Sequence, residues 1–372
     1  MHEFITRMQS TGDGPRLGVK DLIDVAGVKT TAGSLAVASI SSEAVNDAPL
    51  MRGAREANVR IVGKTNLYEL AFGASGVNPH FGTPVNPLDA ALLPGGSSSG
   101  SAVAVAIDEA DIAYGSDSGG SIRVPSAFCG TAGLKTTHGR IPLEGVYPLS
   151  PSLDTVGPMA RDVSGLVLGM ELLEPGFSIG SRAESIGLVR STGVVIDERI
   201  QTGIDKICHR SGIQCIEIDL GNWMAAYDAG STVLYYEAVA SNRTIIGDEK
   251  LYSMLSAPVR ERLEVGAKLS EDDLKRALGF RSQWQAELDA IFQRVDILAL
   301  PSVGFFAPPL EEAFEHVYTH LTMPFNLAGY PAVSIPIDNG YRLPASLQLL
   351  GPRSSEELLL ASAQFFELIN KN

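Results

Sequence analysis

The sequence predicts an α/β protein organised on one large sheet, and three observations carry that reading. The 372 residues are 45% hydrophobic with 38 Gly and 21 Pro, the composition of a turn-rich globular enzyme able to bury a sizeable core. A small-residue helix over 101–107 followed by an apolar strand over 111–114 reads as part of a βαβ-like crossover. Residues 186–189, 197–210 and 213–218 repeat the alternation as strand, helix and strand, which suggests a second half of the same sheet.

Taken in order, residues 1–15 read as a short, poorly ordered lead-in, and residues 16–372 as a single domain. Residues 17–25 form a strand running into a turn, with Lys20 near the strand end. A surface helix over 43–56, a strand over 59–62 and a helix starting near Thr65 follow. Lys64 reads as structural. The loop 78–93, with Pro84 and Pro87, lies over the site and offers Phe81 as a substrate contact. Residues 163–173 form an apolar helix and 175–184 a Gly/Ser linker. A helical stretch over 222–281, within a variable pocket region of about 220–295, carries Trp223, Tyr227, Tyr235, Tyr236 and Tyr252, aromatics more at home in a core than around a cofactor. An apolar strand spans 295–301, and strands over 332–337 and 345–349 close the sheet. The amphipathic helix 355–370 ends the chain, with Glu356 and Glu357 in its favourable first turn.

Bulk properties exclude several classes. A net charge of −14 and a pI near 4.9 argue against non-specific nucleic-acid binding, which needs a basic face. Cys129, Cys208 and Cys215 form no CxxC pair and no even disulfide framework, so they read as reduced thiols of a cytoplasmic protein. The N-terminal MHEFITRMQSTGDG lacks the apolar run of a signal peptide, and no stretch approaches the length of a membrane span. His316 and His320 have the i,i+4 spacing of a metal pair on a helix, without the HExxH glutamate, and no metal is expected.

The chemistry concentrates in residues 94–130, where the Gly/Ser turns 95–101 and 115–121 alternate with Ala/Val runs that pack; a flexible linker would not. Gly95 and Gly96 permit a tight turn exposing Ser97, Ser98 and Ser99 at a helix start. Gly119 and Gly120 clear space before Ser121, so successive backbone N–H groups can converge beside its hydroxyl as an oxyanion requires. A serine is a poor nucleophile until a base takes its proton. None of the six histidines lies in a G-x-S-x-G elbow, which leaves lysine, a base only if burial lowers its pKa from about 10.4. Lys20, Lys64 and Lys135 all lie in apolar contexts, and composition does not choose among them. Each residue also has an ordinary reading: the serines as helix caps, Ser121 as a helix start, Lys20 paired with Asp21 or Asp24 at the surface.

Six blocks resemble the amidase signature family of Ser-cisSer-Lys amide hydrolases. They are GVKDLIDVAGV at 18–28, GGSSSGSA at 95–102, GSDSGGSIRVPSAFCG at 115–130, GRIPLEGVYPLSPSLDTVGPMARDV at 139–163, NLAGYPAVSIPI at 326–337 and LPASLQLLGP at 343–352. The blocks fall in the family's order, with a motif-bearing core over about 16–174. The resemblance implies an α/β/α sandwich around a large mixed, mostly parallel sheet. It makes Ser121 the nucleophile, Ser97 a relay on a cis peptide bond after Gly96, and Lys20 the base. It places the N–H groups of Ser118, Gly119, Gly120 and Ser121 in the oxyanion hole, with Ser98 and Asp117 supporting. Asp154 and Arg161 pin a loop under the site.

The activity implied is cofactor-independent hydrolysis of a linear carboxylic amide to carboxylate and ammonia or amine through a seryl acyl-enzyme. The alternative is the glutaminase-like component of a tRNA-dependent amidotransferase. The partner expected is a small-molecule amide, with no nucleic acid and no membrane; the oligomeric state stays open, a homodimer being common among similar proteins. The sequence departs from the family where 19 residues precede Lys20 in place of a longer helical segment.

Overall fold

A computed structural model describes residues 2–9 and 11–371. Its strands are β1 (Phe4–Arg7), β2 (Arg16–Lys20), β3 (Arg60–Thr65), β4 (Ile112–Ser116), β5 (Ala132–Lys135), β6 (Val156–Ala160), β7 (Ser185–Ser191), β8 (Gln214–Asp219), β9 (Ile297–Pro301), β10 (Ala332–Ile337) and β11 (Ala345–Leu350). They make one sheet in the order β1-β3-β2-β4-β6-β5-β10-β11-β9-β7-β8.

The two-residue period of a strand explains the layering. On β9, Ile297 and Ala299 enter one core with Leu166 and Met170 of the helix Val163–Leu173, Ile204 of Glu198–Ser211 and Phe366 of Glu356–Lys371. Leu298 and Leu300 point the other way, into a core with Trp223 of Trp223–Ser241, Trp284 of Glu271–Phe292 and Phe325 of Met323–Ala328. The fold is thus an α/β/α sandwich whose central strands are covered on both faces. Each fully buried Leu or Ile contributes about 1.5–3 kcal/mol relative to exposure.

Two parallel units, β3-β2-β4 and β9-β7-β8, flank an antiparallel middle. Among the described residues six pairings are antiparallel and four parallel, so the sheet is mixed as expected but not mostly parallel. The reason lies in β5 and β6, two short strands that the sequence pattern does not reveal, and in β10 and β11. These last two do not close the sheet; they join its halves, β10 pairing with β5 and β11 with β9.

Four further expectations are corrected. Residues 4–7 of the supposed lead-in pair with β3 as an edge strand. Residues 43–56 do not form one helix: 43–46 are bridge and bend, and the helical part is confined to short pieces at Pro49–Met51 and Arg52–Glu56, where Leu50, Met51 and Ala54 are drawn into the core. No α-helix starts near Thr65, only a 3₁₀ turn at Glu69–Ala71: Leu70 and Ala71 take positive φ, while Asn66 and Glu69 are buried and bonded to His2 and Gly82 carbonyls and to Ser34 Oγ and the Ser256 N–H. Side-chain bonding of this kind competes with the helix ladder. Residues 313–320 are turns, so His316 and His320 share no helix face; His316 bonds Glu312 and His320 packs edge-on against Tyr227.

Among the described residues no helix is long and apolar enough to cross a membrane.

Candidate active site

Parallel pairing of β2 with β4 brings their C-terminal ends together, with Lys20 the last residue of one and Ser116 the last of the other. Open α/β sheets place ligands at such strand ends. The turn after β4, residues 117–122, leads into the helix Arg123–Cys129, and the turn before the helix Ser99–Ala106 approaches from the side. The Ser98 N–H donates to the Ser121 carbonyl at 3.1 Å, which ties the two Gly/Ser turns to each other.

Lys20 is fully buried, and its Nζ lies 2.7 Å from Ser97 Oγ, 2.8 Å from Ser98 Oγ and 2.8 Å from Ser116 Oγ. Burial pushes its pKa down to about 7, the more distant carboxylates of Asp117 and Asp154 opposing that shift only in part. Asp21 and Asp24 are not its partners: Asp21 pairs with Lys64 at 2.8 Å, and Asp24 accepts from Thr30. Lys64 is therefore structural, as expected, and Lys135 donates to the Thr136 carbonyl. Of the three candidate lysines, Lys20 is the one that reaches the serines. The peptide between Gly96 and Ser97 is cis.

Ser121 is 8% exposed at the floor of a cavity of about 180 Å³, beside Ser118 and Gly119. Asp117 underlies the turn. Its carboxylate accepts from the Gly120 N–H at 2.7 Å and the Ile122 N–H at 3.1 Å, and is gripped by Arg123 through Nε at 3.0 Å and Nη2 at 2.9 Å. Asn326 Nδ2 adds a bond at 2.8 Å. Burial alone would raise this carboxyl's pKa, but Arg123 outweighs it and holds the group well below the ordinary carboxylate range. This bonding narrows the expected oxyanion set. The Gly120 N–H is committed to Asp117, whereas the N–H groups of Ser118, Gly119 and Ser121 meet no acceptor among the described residues.

The turn requires glycine at position 120, whereas at position 119 only the flexible end of the Met323 side chain stands close. A Cβ on Gly119 would stand 2.7 Å from Met323 Cε, and Gly120 sits at φ +140° with Thr322 Oγ1 2.3 Å from where its Cβ would be. Thr322 Oγ1 also donates to the Gly119 carbonyl at 2.6 Å.

Ser118 donates to Asp154, which also accepts from the Leu149 and Ser150 N–H groups. Asp154 thus pins a loop under the site as expected. Arg161 does not; it pairs with Asp108 at the surface. Phe81 sits in a turn held by Asn78 and is not on the cavity wall.

The rest of the wall comes from distant elements. Phe72, Leu149, Leu234 and Met323 supply apolar surface, Tyr227, Ser231, Tyr235 and Thr319 carry hydroxyls, His316 adds an imidazole, and Tyr318 turns its hydroxyl to the Ala313 carbonyl. Arg262, from the helix Ala257–Gly266, brings a guanidinium. Its Nη1 donates to Tyr68 Oη at 2.6 Å and to the Phe72 carbonyl at 3.1 Å, and no carboxylate pairs with it among the described residues. Sequence reasoning does not single out Ser116, Arg123, Arg262, Thr322 or Asn326. Ser116, Arg123 and Asn326 lie inside the quoted blocks, whereas nothing local marks Thr322 or Arg262.

Comparison with known proteins places the chain. The family model described as Amidase matches residues 14–360. The A subunit of glutamyl-tRNA(Gln) amidotransferase from Methanothermobacter thermautotrophicus is 31% identical over 93% of this chain and 82% of that protein. Its counterpart of the same name from Halobacterium salinarum is 30% identical over 99% of both. Among solved structures, one described as the crystal structure of amidase superposes with a TM-score of 0.87 at 30% identity, covering 95% of this chain and 84% of that one. A match over most of its length, with relatives at this identity, makes the chain a member of the amidase signature family.

Proposed function

We propose that the protein is a serine amide hydrolase in which Ser121 is the nucleophile, Ser97 the relay and Lys20 the base. The observation that carries the reading is Lys20 itself. A lysine buried among three hydroxyls, with no carboxylate in contact and a pKa of about 7, is half neutral at neutral pH and able to take a proton.

Neutral Lys20 withdraws the Ser97 proton as Ser97 takes that of Ser121, and Ser121 Oγ attacks the amide carbonyl. The N–H groups of Ser118, Gly119 and Ser121 receive the oxyanion, preorganised donors worth about 2.7–4 kcal/mol each to the transition state in comparable sites. The C–N bond breaks as the proton returns through Ser97 to the leaving nitrogen. Water then hydrolyses the ester by the same relay, and Ser121 regains its proton. The cavity's Arg262 receives an anionic part of the substrate.

A second reading is a glutaminase component that passes ammonia to a partner. The observation favouring it is the pair of relatives named for glutamyl-tRNA(Gln) amidotransferase. Ammonia release by the chain purified alone separates the two: a hydrolase turns over an amide without a partner, and glutamine hydrolysis that appears only when a partner is added supports the second reading.

The pH profile is a further expectation. Protonated Lys20 cannot accept a proton, so kcat/KM should fall about tenfold per pH unit below about pH 7 and level off above it. A rate flat through the acid side of neutrality would remove Lys20 from the base role.

A further inference from the structure

Resting on the hydrolase reading, we infer that the substrate is a small monoanionic amide, a carboxylate-bearing amide without an ammonium group, and that free glutamine is a poor substrate. The argument is the charge inventory of the cavity. Arg262 reaches it with Nη1 fixed by Tyr68 and Phe72 and with Tyr235 as a further phenolic neighbour, none of them an anion. A guanidinium held in this way is oriented to donate to an incoming carboxylate. The opposite charge is missing: among the described residues, no Asp or Glu lines the cavity.

Two acids that bond wall residues are engaged with them. Asp154 is buried under Ser118 and the Leu149 and Ser150 amides, and Glu312 bonds His316. An ammonium entering with the amide would meet hydroxyls, aromatic faces and the His316 imidazole, itself bonded to Glu312, beside the like charge of Arg262. An unpaired charge taken out of water is costly, so an α-amino group should be selected against. The amide of a short dicarboxylic acid fits the inventory: the reaction consumes one water, breaks one C–N bond, and yields the dicarboxylate and ammonia.

Two isosteric pairs test this, since each differs only by the α-ammonium: succinamate against L-asparagine, and glutaramate against L-glutamine. Ammonia release is measured for all four and for neutral butyramide, with wild type, Arg262→Gln and Arg262→Lys. In wild type at least one anion should exceed its amino-bearing twin by about tenfold or more in kcat/KM. Arg262→Gln should erase the anion's advantage over butyramide, chiefly through KM, and Arg262→Lys should retain part of it. Hydrolysis of L-glutamine or L-asparagine at a rate equal to or above the paired anion overturns the inference and leaves the Ser121 chemistry standing. Failure of both anions while a fluorophosphonate still labels Ser121 also overturns the inference alone. No turnover and no label overturn the hydrolase reading, and the inference falls with it.

Discussion

Replacing Ser121 with alanine is expected to lower kcat by about 10⁴-fold or more, and Lys20→Met to match it, because members of such a unit fail together rather than additively. The two variants should differ in stability in an informative way. Lys20 has a folded pKa of about 7 against about 10.4 in an unfolded chain. Between these values the unfolded state binds more protons, so the folded state gains as pH rises through the window and loses as pH falls towards 7. A methionine removes that penalty. Lys20→Met should therefore melt no lower than wild type at neutral pH while being inactive. A large fall in melting temperature would mean that Lys20 serves the fold rather than the reaction.

The second large effect concerns the support beneath the nucleophile. Asp117→Ala should destabilise the protein by about 3–5 kcal/mol, since it leaves Arg123 buried and uncompensated and frees the Gly120 and Ile122 N–H groups. Denaturant unfolding measures this directly. Arg123→Met should cost a similar amount, and the double variant less than the sum, because the two share one network. The sign with pH follows from the depressed carboxyl: its contribution is complete above about pH 4, the unfolded value, and is lost only as acid approaches the lower folded value. A loss under 1 kcal/mol for Asp117→Ala would refute the pairing as a source of stability.

The site is more legible in the sequence than the sheet around it. Lys20, Ser97, Ser98 and Ser121 lie in blocks whose glycines and serines have few other reasons to recur together, and the structure brings Lys20 to Ser97 and Ser98 across 77 and 78 residues of chain. Ser116 is within view but unmarked, since nothing in a GSDSGGS run says which hydroxyl turns inward. Gly120 belongs to the expected oxyanion set because its N–H lies in the right turn; that Asp117 claims it depends on a side-chain rotamer.

Arg262 is illegible for a plainer reason. One arginine on an ordinary helix acquires meaning only when the helix packs against Tyr68 and Phe72, nearly 200 residues away. Strands are readable where an apolar run or an apolar/polar alternation shows, as in β7, β8 and β9. The short β5 and β6 are not, being buried on both faces with no alternation to show. Their pairings in turn decide that β10 and β11 lie mid-sheet, a matter of tertiary order that local pattern does not encode.

The central claim is that Ser121 is the activated nucleophile. Intact mass after incubation with a fluorophosphonate probe tests it most directly, on wild type, Ser121→Ala and Ser97→Ala. The account predicts a single adduct on wild type, none on Ser121→Ala, and slowed labelling of Ser97→Ala. An adduct that persists on Ser121→Ala, or a wild type that never labels, would contradict it.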